Sequence, residues 1–230
     1  MAGWRAIGVI GGMGPAATAD FLARLVIAAG ATRDSDHPRV FVDSNPQVPD
    51  RNAARLGQGP SPGPALATMA RGLVAQGAEV LAMPCNAAHG WADDIRAAVP
   101  GLFVDMIAAA VAETLVLRPS RVGIIAVGAT LDARLYHDRL AATGVEALDC
   151  DRAVVQPLVT RIKAGDTGGE VRAAMVAEAA RLAGDGVEVI IAACTEVPLV
   201  LRAGDSPVPL VDATAALVRA VIAAARRPAA

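Results

Sequence analysis

Apolar residues in this 230-residue chain gather into short runs bounded by glycine, and two of these runs are near copies. Gly77-Ala-Glu-Val-Leu-Ala-Met-Pro-Cys85 and Gly186-Val-Glu-Val-Ile-Ile-Ala-Ala-Cys194 both open Gly-x-Glu-Val, and both place a cysteine eight residues after the glycine. A short run rich in Val, Ile and Leu, without polar alternation, reads as a strand buried on both faces, as in a parallel sheet. Each cysteine then stands just past a strand's carboxyl end, the edge where open α/β sheets bind ligands. The copying goes further. Ala6-Ile-Gly-Val-Ile-Gly-Gly12 matches Arg121-Val-Gly-Ile-Ile-Ala-Val127, and Phe103-Val-Asp105 matches Leu210-Val-Asp212. The offsets are 115 (Gly8 to Gly123), 109 (Cys85 to Cys194) and 107 (Asp105 to Asp212), which describes a duplicated lobe with small length changes. The expected architecture is α/β: two similar lobes with parallel sheets flanked by helices, related by pseudo-twofold symmetry. Residues 1–106 with 212–230 make the first lobe and 107–211 the second.

Taken in order, a first strand over Ile7 to Ile10 runs into Gly11-Gly12-Met13-Gly14-Pro15. Pro15, whose fixed φ suits a first helical turn, starts a helix with an apolar face of Phe21, Leu22, Leu25 and Val26. Gly12-x-Gly14 lacks the third glycine of a dinucleotide fingerprint, so the turn reads better as a close backbone approach to a small anion. Arg39 to Asp43 forms the second strand, followed by two stretches without regular structure, Ser44–Asn52 and Gly57–Pro64. A helix starts just after Cys85, with Trp91, Ile95 and Val99 on its apolar face. In the second half a strand begins at Arg121, a helix carries Tyr136, and a strand lies near Val145 to Leu148. A helix from about Val154 ends in Arg161-Ile-Lys163-Ala-Gly165, with Gly165 as its cap.

Composition removes several function classes. The formal net charge is −2 and no basic run exceeds two residues, so the chain offers nothing to a phosphate backbone. Nucleic acid is not an expected partner. No apolar stretch reaches membrane-spanning length and the N-terminus lacks the pattern of a signal peptide, so no membrane partner and a cytoplasmic location are expected. Three cysteines are an odd number in a chain long enough to fold without staples, which favours thiols over disulfides.

The thiols carry the chemistry. A cysteine at a helix N-terminus is stabilised as thiolate, below its ordinary pKa of about 8.5, and both Cys85 and Cys194 are expected there. Cys150 lies outside the repeat and reads as incidental. Arg51, in the loop after the second strand, is a candidate carboxylate clamp. Lys163 is the single lysine among 21 Lys and Arg, which suggests a compact point charge. Two rival chemistries use the same residues. Cys85 and His89 have an i,i+4 spacing that Cys150 and Cys194 would complete to a Cys₃His metal site, and His37, His89 or His137 would activate one cysteine in a Cys–His hydrolase. The first lacks Cys-x-x-Cys and a second His; the second leaves one cysteine without a task.

Five motifs in order, Gly11-Gly-Met-Gly-Pro15, Asn45-Pro-Gln-Val-Pro-Asp-Arg51, Pro84-Cys-Asn-Ala-Ala-His89, Arg161-Ile-Lys-Ala-Gly165 and Cys194-Thr-Glu196, span nearly the whole chain. Together they resemble the aspartate/glutamate racemase superfamily, in its aspartate racemase branch. The resemblance implies a cleft between two lobes with a cysteine on each side, catalysis without pyridoxal phosphate or metal, no cofactor, and a homodimer. It implies that Cys85 and Cys194 are the catalytic pair, Cys85 acting on the D-enantiomer and Cys194 on the L-enantiomer. Arg51 and Lys163 would hold substrate carboxylates, with Met13, Gln47, Asn86, Ala87, Thr130 and Thr195 completing the site. The implied substrate is an acidic amino acid, aspartate first and glutamate second. A cysteine-dependent isomerase or decarboxylase of a dicarboxylic acid, and a non-catalytic carboxylate-binding protein, remain the alternatives. Ala87 departs from the branch, which usually has Thr after Cys-Asn, and Ala129-Thr130 stands where Gly-Thr is common.

Overall fold

In a computed structural model that describes residues 3–227, the first apolar run forms β1 (Ile7–Gly11), buried along its whole length. Pro15 opens α1 (Pro15–Ala29), and Gly30, at φ 63°, closes it. The helix buries Ala17, Phe21, Leu25 and Ala29, a stripe at four-residue steps, with Thr18 beside it. Val26, expected on that stripe, is instead 58% exposed. β2 (Val40–Ser44) comes next.

The following two stretches are more ordered than their composition suggested. The Asp50 carboxylate accepts the Ala53 N–H at 2.8 Å and so caps a short helix, α2 (Arg51–Arg55), while α3 (Gly63–Ala75) begins inside the Pro-rich segment. Aspartate at an N-cap and proline near N1 both favour helix starts, a local signal that the density of Pro and Gly conceals. β3 (Val80–Ala82), α4 (Ala92–Ala98) and β4 (Phe103–Val104) complete the first series.

The second series repeats it: α5 (Met106–Val116), β5 (Arg121–Ile125), α6 (Gly128–Asp132), α7 (His137–Ala141), β6 (Glu146–Asp149), α8 (Arg152–Lys163), α9 (Gly169–Gly184), β7 (Val189–Ala192), β8 (Leu210–Asp212) and α10 (Ala213–Ala225). Tyr136 lies between two short helices rather than within one, and is fully buried.

Two four-stranded sheets result, ordered β2-β1-β3-β4 and β6-β5-β7-β8, with every pairing parallel. The orders are the same under the exchange of β1–β4 for β5–β8, so the sequence duplication is a duplication of topology. The central strands are buried throughout β1, β3 and β7, and in all but the first residue of β5. That explains why they read as continuous apolar runs, whereas the edge strands β2 and β6 alternate or stay partly exposed.

By contacts the chain divides into two units, Met1–Met106 with Thr214–Ala230, and Ile107–Ala213. The first is closed by an antiparallel bridge between Trp4 and Arg226 and by the Arg227–Glu79 ion pair at 2.8 Å. Among the described residues no helix is long and apolar enough to cross a membrane.

Candidate active site

In the first unit the candidate residues lie past the carboxyl ends of β1, β2 and β3. Parallel strands end at one edge of a sheet, so this shared position results from the topology. Behind β1, Gly12 has φ 90°, and a Cβ there would collide with the backbone of Asn45. The Gly12 N–H is taken by Thr18 Oγ1 at 2.9 Å, and the Asn45 N–H donates to Gly11 O at 3.3 Å. The space that the glycine leaves is therefore filled by the β2–α2 loop. Met13 is buried beside it.

That loop leads to Arg51. The Gln47 N–H donates to Asn45 Oδ1 at 2.9 Å, making an Asx turn, and Val48 is buried. The Gln47 side chain is exposed. Arg51, half-buried at the start of α2, donates from Nη1 to Val48 O at 3.2 Å and Pro49 O at 3.1 Å. Its Nε has no hydrogen-bond partner among the described residues and its guanidinium no acidic one. A guanidinium held by carbonyls alone keeps its full charge for an anion.

Cys85 lies three residues beyond β3 and is buried, as are Asn86 and Ala87. The expected α-helix does not start here. Ala87–Trp91 is a 3₁₀ turn, and α4 begins only at Ala92. His89, also buried, receives the Met106 N–H at Nε2 over 3.1 Å, so its proton resides on Nδ1, which donates to the Cys85 carbonyl at 2.8 Å. Both nitrogens serve the backbone. His89 therefore positions Cys85 and is committed neither as its base nor as a metal ligand, which removes the histidine of the metal reading and one of the three candidates of the hydrolase reading. His137 has one nitrogen engaged, Nε2 lying 2.6 Å from Asp149 Oδ1, while its Nδ1 is buried without a partner among the described residues.

In the second unit Cys194 lies two residues beyond β7 and is again buried. It donates to Glu196 Oε2 at 3.0 Å, and Thr195 Oγ1 donates to the same oxygen at 3.1 Å. Thr195 and Glu196 are both buried. Burial, then the Glu196 charge and its hydrogen bond, push the Cys194 thiol well above its ordinary range, while Lys163 and the Glu196 backbone N–H pull the other way. The expectation of a lowered pKa is thus overturned at this cysteine. No α-helix N-terminus comes after it, only the 3₁₀ turn Val197–Leu199, and the nearest strong charge is negative.

Lys163 is the last residue of α8, exposed, and placed by the cap beyond it: Gly165 at φ 93°, with the Gly165 and Asp166 N–H groups returned to Ile162 O and Arg161 O. It has no acidic partner among the described residues. Thr130, in α6 just past β5, is buried with Oγ1 unpartnered among those residues. Cys150 is buried outside the repeat, between the N–H (3.5 Å) and C=O (3.4 Å) of Ala126, and burial pushes its thiol up to about 11. No cysteine is in a disulfide. Glu196 is the residue to which sequence reasoning gave no task; setting the repeats side by side, where it aligns with Ala87, is the signal that singles it out.

A doubly wound repeat with a buried thiol past the third strand of each half defines a narrow class of protein. The profile of the Asp/Glu/Hydantoin racemase family matches residues 10–221, and the chain belongs to that family. Its named relatives are racemases, which are isomerases. The chain is 24% identical over 223 residues to the broad specificity amino-acid racemase RacX of Bacillus subtilis, covering 94% of this chain and 96% of that one. Among solved structures, the aspartate racemase of Picrophilus torridus superposes with a TM-score of 0.88 at 27% identity, over 97% of this chain and 95% of that one. An aspartate racemase homologue from Pyrococcus horikoshii shares the fold, with a TM-score of 0.75 at 24% identity over 96% and 98%.

Proposed function

We propose that this protein racemises an acidic amino acid, without pyridoxal phosphate, by proton transfer between Cys85 and Cys194. The observation that carries the reading is the recurrence of a buried thiol just past the third strand of both halves. Inverting a stereocentre takes a proton from one face of the α-carbon and returns one to the other, so an acid and a base must address that carbon from opposite sides. A duplicated lobe supplies two such groups from one ancestral position. The Cys–His hydrolase needs only one thiol, and His89 is committed to the backbone.

Arg51 and Lys163, cations without acidic partners among the described residues, support a substrate with two carboxylates. Each carboxylate entering a low-dielectric site needs a compensating charge. Thr130 and Thr195 add hydroxyls, and Met13, Gln47, Asn86 and Ala87 frame the first half of the site. Aspartate is the first candidate, in line with the activity for which the Picrophilus torridus relative is named. The methyl group of Ala87 leaves more room than a threonine, which supports glutamate or a wider range as the second, as the name of the Bacillus subtilis relative suggests.

The test uses deuterated water. The native chain should place solvent deuterium at the α-carbon of the product, because a thiol proton exchanges before it is delivered. Cys85→Ala and Cys194→Ala should each abolish racemisation, yet retain slow α-proton exchange of one enantiomer, of opposite hand in the two variants. Full racemisation by either variant would end the two-thiol reading.

A further inference from the structure

The two halves differ at the residue that matters most for proton transfer. Two positions after Cys85 stands Ala87; two positions after Cys194 stands Glu196, a carboxylate that is only 4% exposed. Its Oε2 accepts both the Cys194 thiol (3.0 Å) and the Thr195 hydroxyl (3.1 Å). No cation is paired with it among the described residues. A buried carboxylate held by two neutral donors needs both of those protons. Ionising the thiol would set two negative charges about 3 Å apart in a low-dielectric site, which is the arrangement that forces a proton to be shared.

We propose that Glu196 holds Cys194 in the thiol form, so that in the free protein Cys194 is the acid and Cys85 the base of an otherwise symmetric pair. This rests on the racemase reading for its catalytic meaning, though not for its chemistry. Burial of the sulfur acts in the same direction as the adjacent carboxylate, since both disfavour the thiolate. The charged groups acting on the sulfur are Glu196 from its own loop and Lys163 from the end of α8, and they oppose each other. In turnover Cys85 takes the α-proton, forming an S–H bond as that C–H bond breaks, and the S–H bond of Cys194 breaks as a new C–H bond forms on the opposite face. The resulting Cys194 thiolate, beside the Glu196 carboxylate, is driven to regain a proton from water, while the Cys85 thiol returns the α-proton to water. The free protein is thereby set for the enantiomer that Cys85 deprotonates.

The thiolate absorbance near 240 nm reads this directly in a Cys85→Ala/Cys150→Ala chain, where Cys194 is the only thiol. Adding Glu196→Gln removes the charge while keeping the size, and the ionisation midpoint of Cys194 should fall by about one pH unit or more. Glu196→Asp keeps the charge and should lower it less, which also covers a Gln variant that folds poorly. In the otherwise native chain, the alkaline limb of kcat/KM for aspartate, where the acid loses its proton, should move to lower pH with Glu196→Gln. A merely structural role would change the rate and leave the limb in place. An unchanged Cys194 midpoint in Glu196→Gln would overturn the proposal. Should the native chain racemise no amino acid, the proposed function fails while the titration still decides what Glu196 does.

Discussion

His89→Ala separates a histidine that builds a site from one that works in it. The ring joins two backbone groups well apart in sequence, the Cys85 carbonyl at 2.8 Å and the Met106 N–H at 3.1 Å, and lies 5.5 Å from the Phe103 ring. Removing it leaves both backbone groups buried without that partner, at about 1–3 kcal/mol each, and opens a cavity besides. The expected loss is about 3–5 kcal/mol of stability. Trp4 and Trp91, the two tryptophans of the chain, both belong to the unit that holds His89, so urea unfolding followed by tryptophan fluorescence reports on that unit. His89→Asn keeps a donor for the Cys85 carbonyl and should lose about half as much. Alkylation at Cys85, resolved by peptide mass spectrometry at neutral pH, should speed up as the loop loosens. A variant of native stability whose Cys85 is alkylated about tenfold more slowly would refute this account and reinstate His89 as an activating base.

Arg51→Leu and Lys163→Leu should each weaken binding of a dicarboxylic amino acid by about 2–5 kcal/mol, seen as a KM for aspartate raised about thirtyfold or more. Native kinetics in both would refute the clamp. Cys150, with its thiol held up to about 11, should resist alkylation at about pH 8–9 in the folded chain. An unfolded thiol ionises near about 8.5, so the stability contributed by the protonated Cys150 is complete below that pH and is lost as pH rises towards about 11. Cys150→Ala should therefore flatten the alkaline fall in stability while leaving turnover as it was, and an equally steep fall would show that another group causes it.

Much of this fold is legible in the chain because burial on both faces writes itself as unbroken apolar runs, and because the runs occur twice. Val80–Ala82 and Val189–Ala192 are recognisable from composition alone, and their repetition brings Cys85 and Cys194 forward together. The turns just past the two thiols are less legible. Ala-rich sequence after Cys85 is equally compatible with α and 3₁₀ turns, and the 3₁₀ turn Ala87–Trp91 carries His89, whose Nε2 accepts the Met106 N–H from far along the chain. The short α2 escapes notice because its signal is a single capping aspartate amid prolines. Electrostatics is least legible of all. The raised state of Cys194 comes from burial and from the rotamer that turns Glu196 back onto the sulfur, and neither has a sequence signature.

The division of the chain has a consequence for how it is made. Residues 107–213 form a contiguous unit that can complete its sheet while synthesis continues, whereas the unit that begins the chain lacks α10 until residues 213–225 have left the ribosome. Val221 and Leu217 are fully buried, so until then the first unit waits with part of its apolar core incomplete. The half translated first is thus the half finished last, and the bridge from Trp4 to Arg226 is among the final contacts to form.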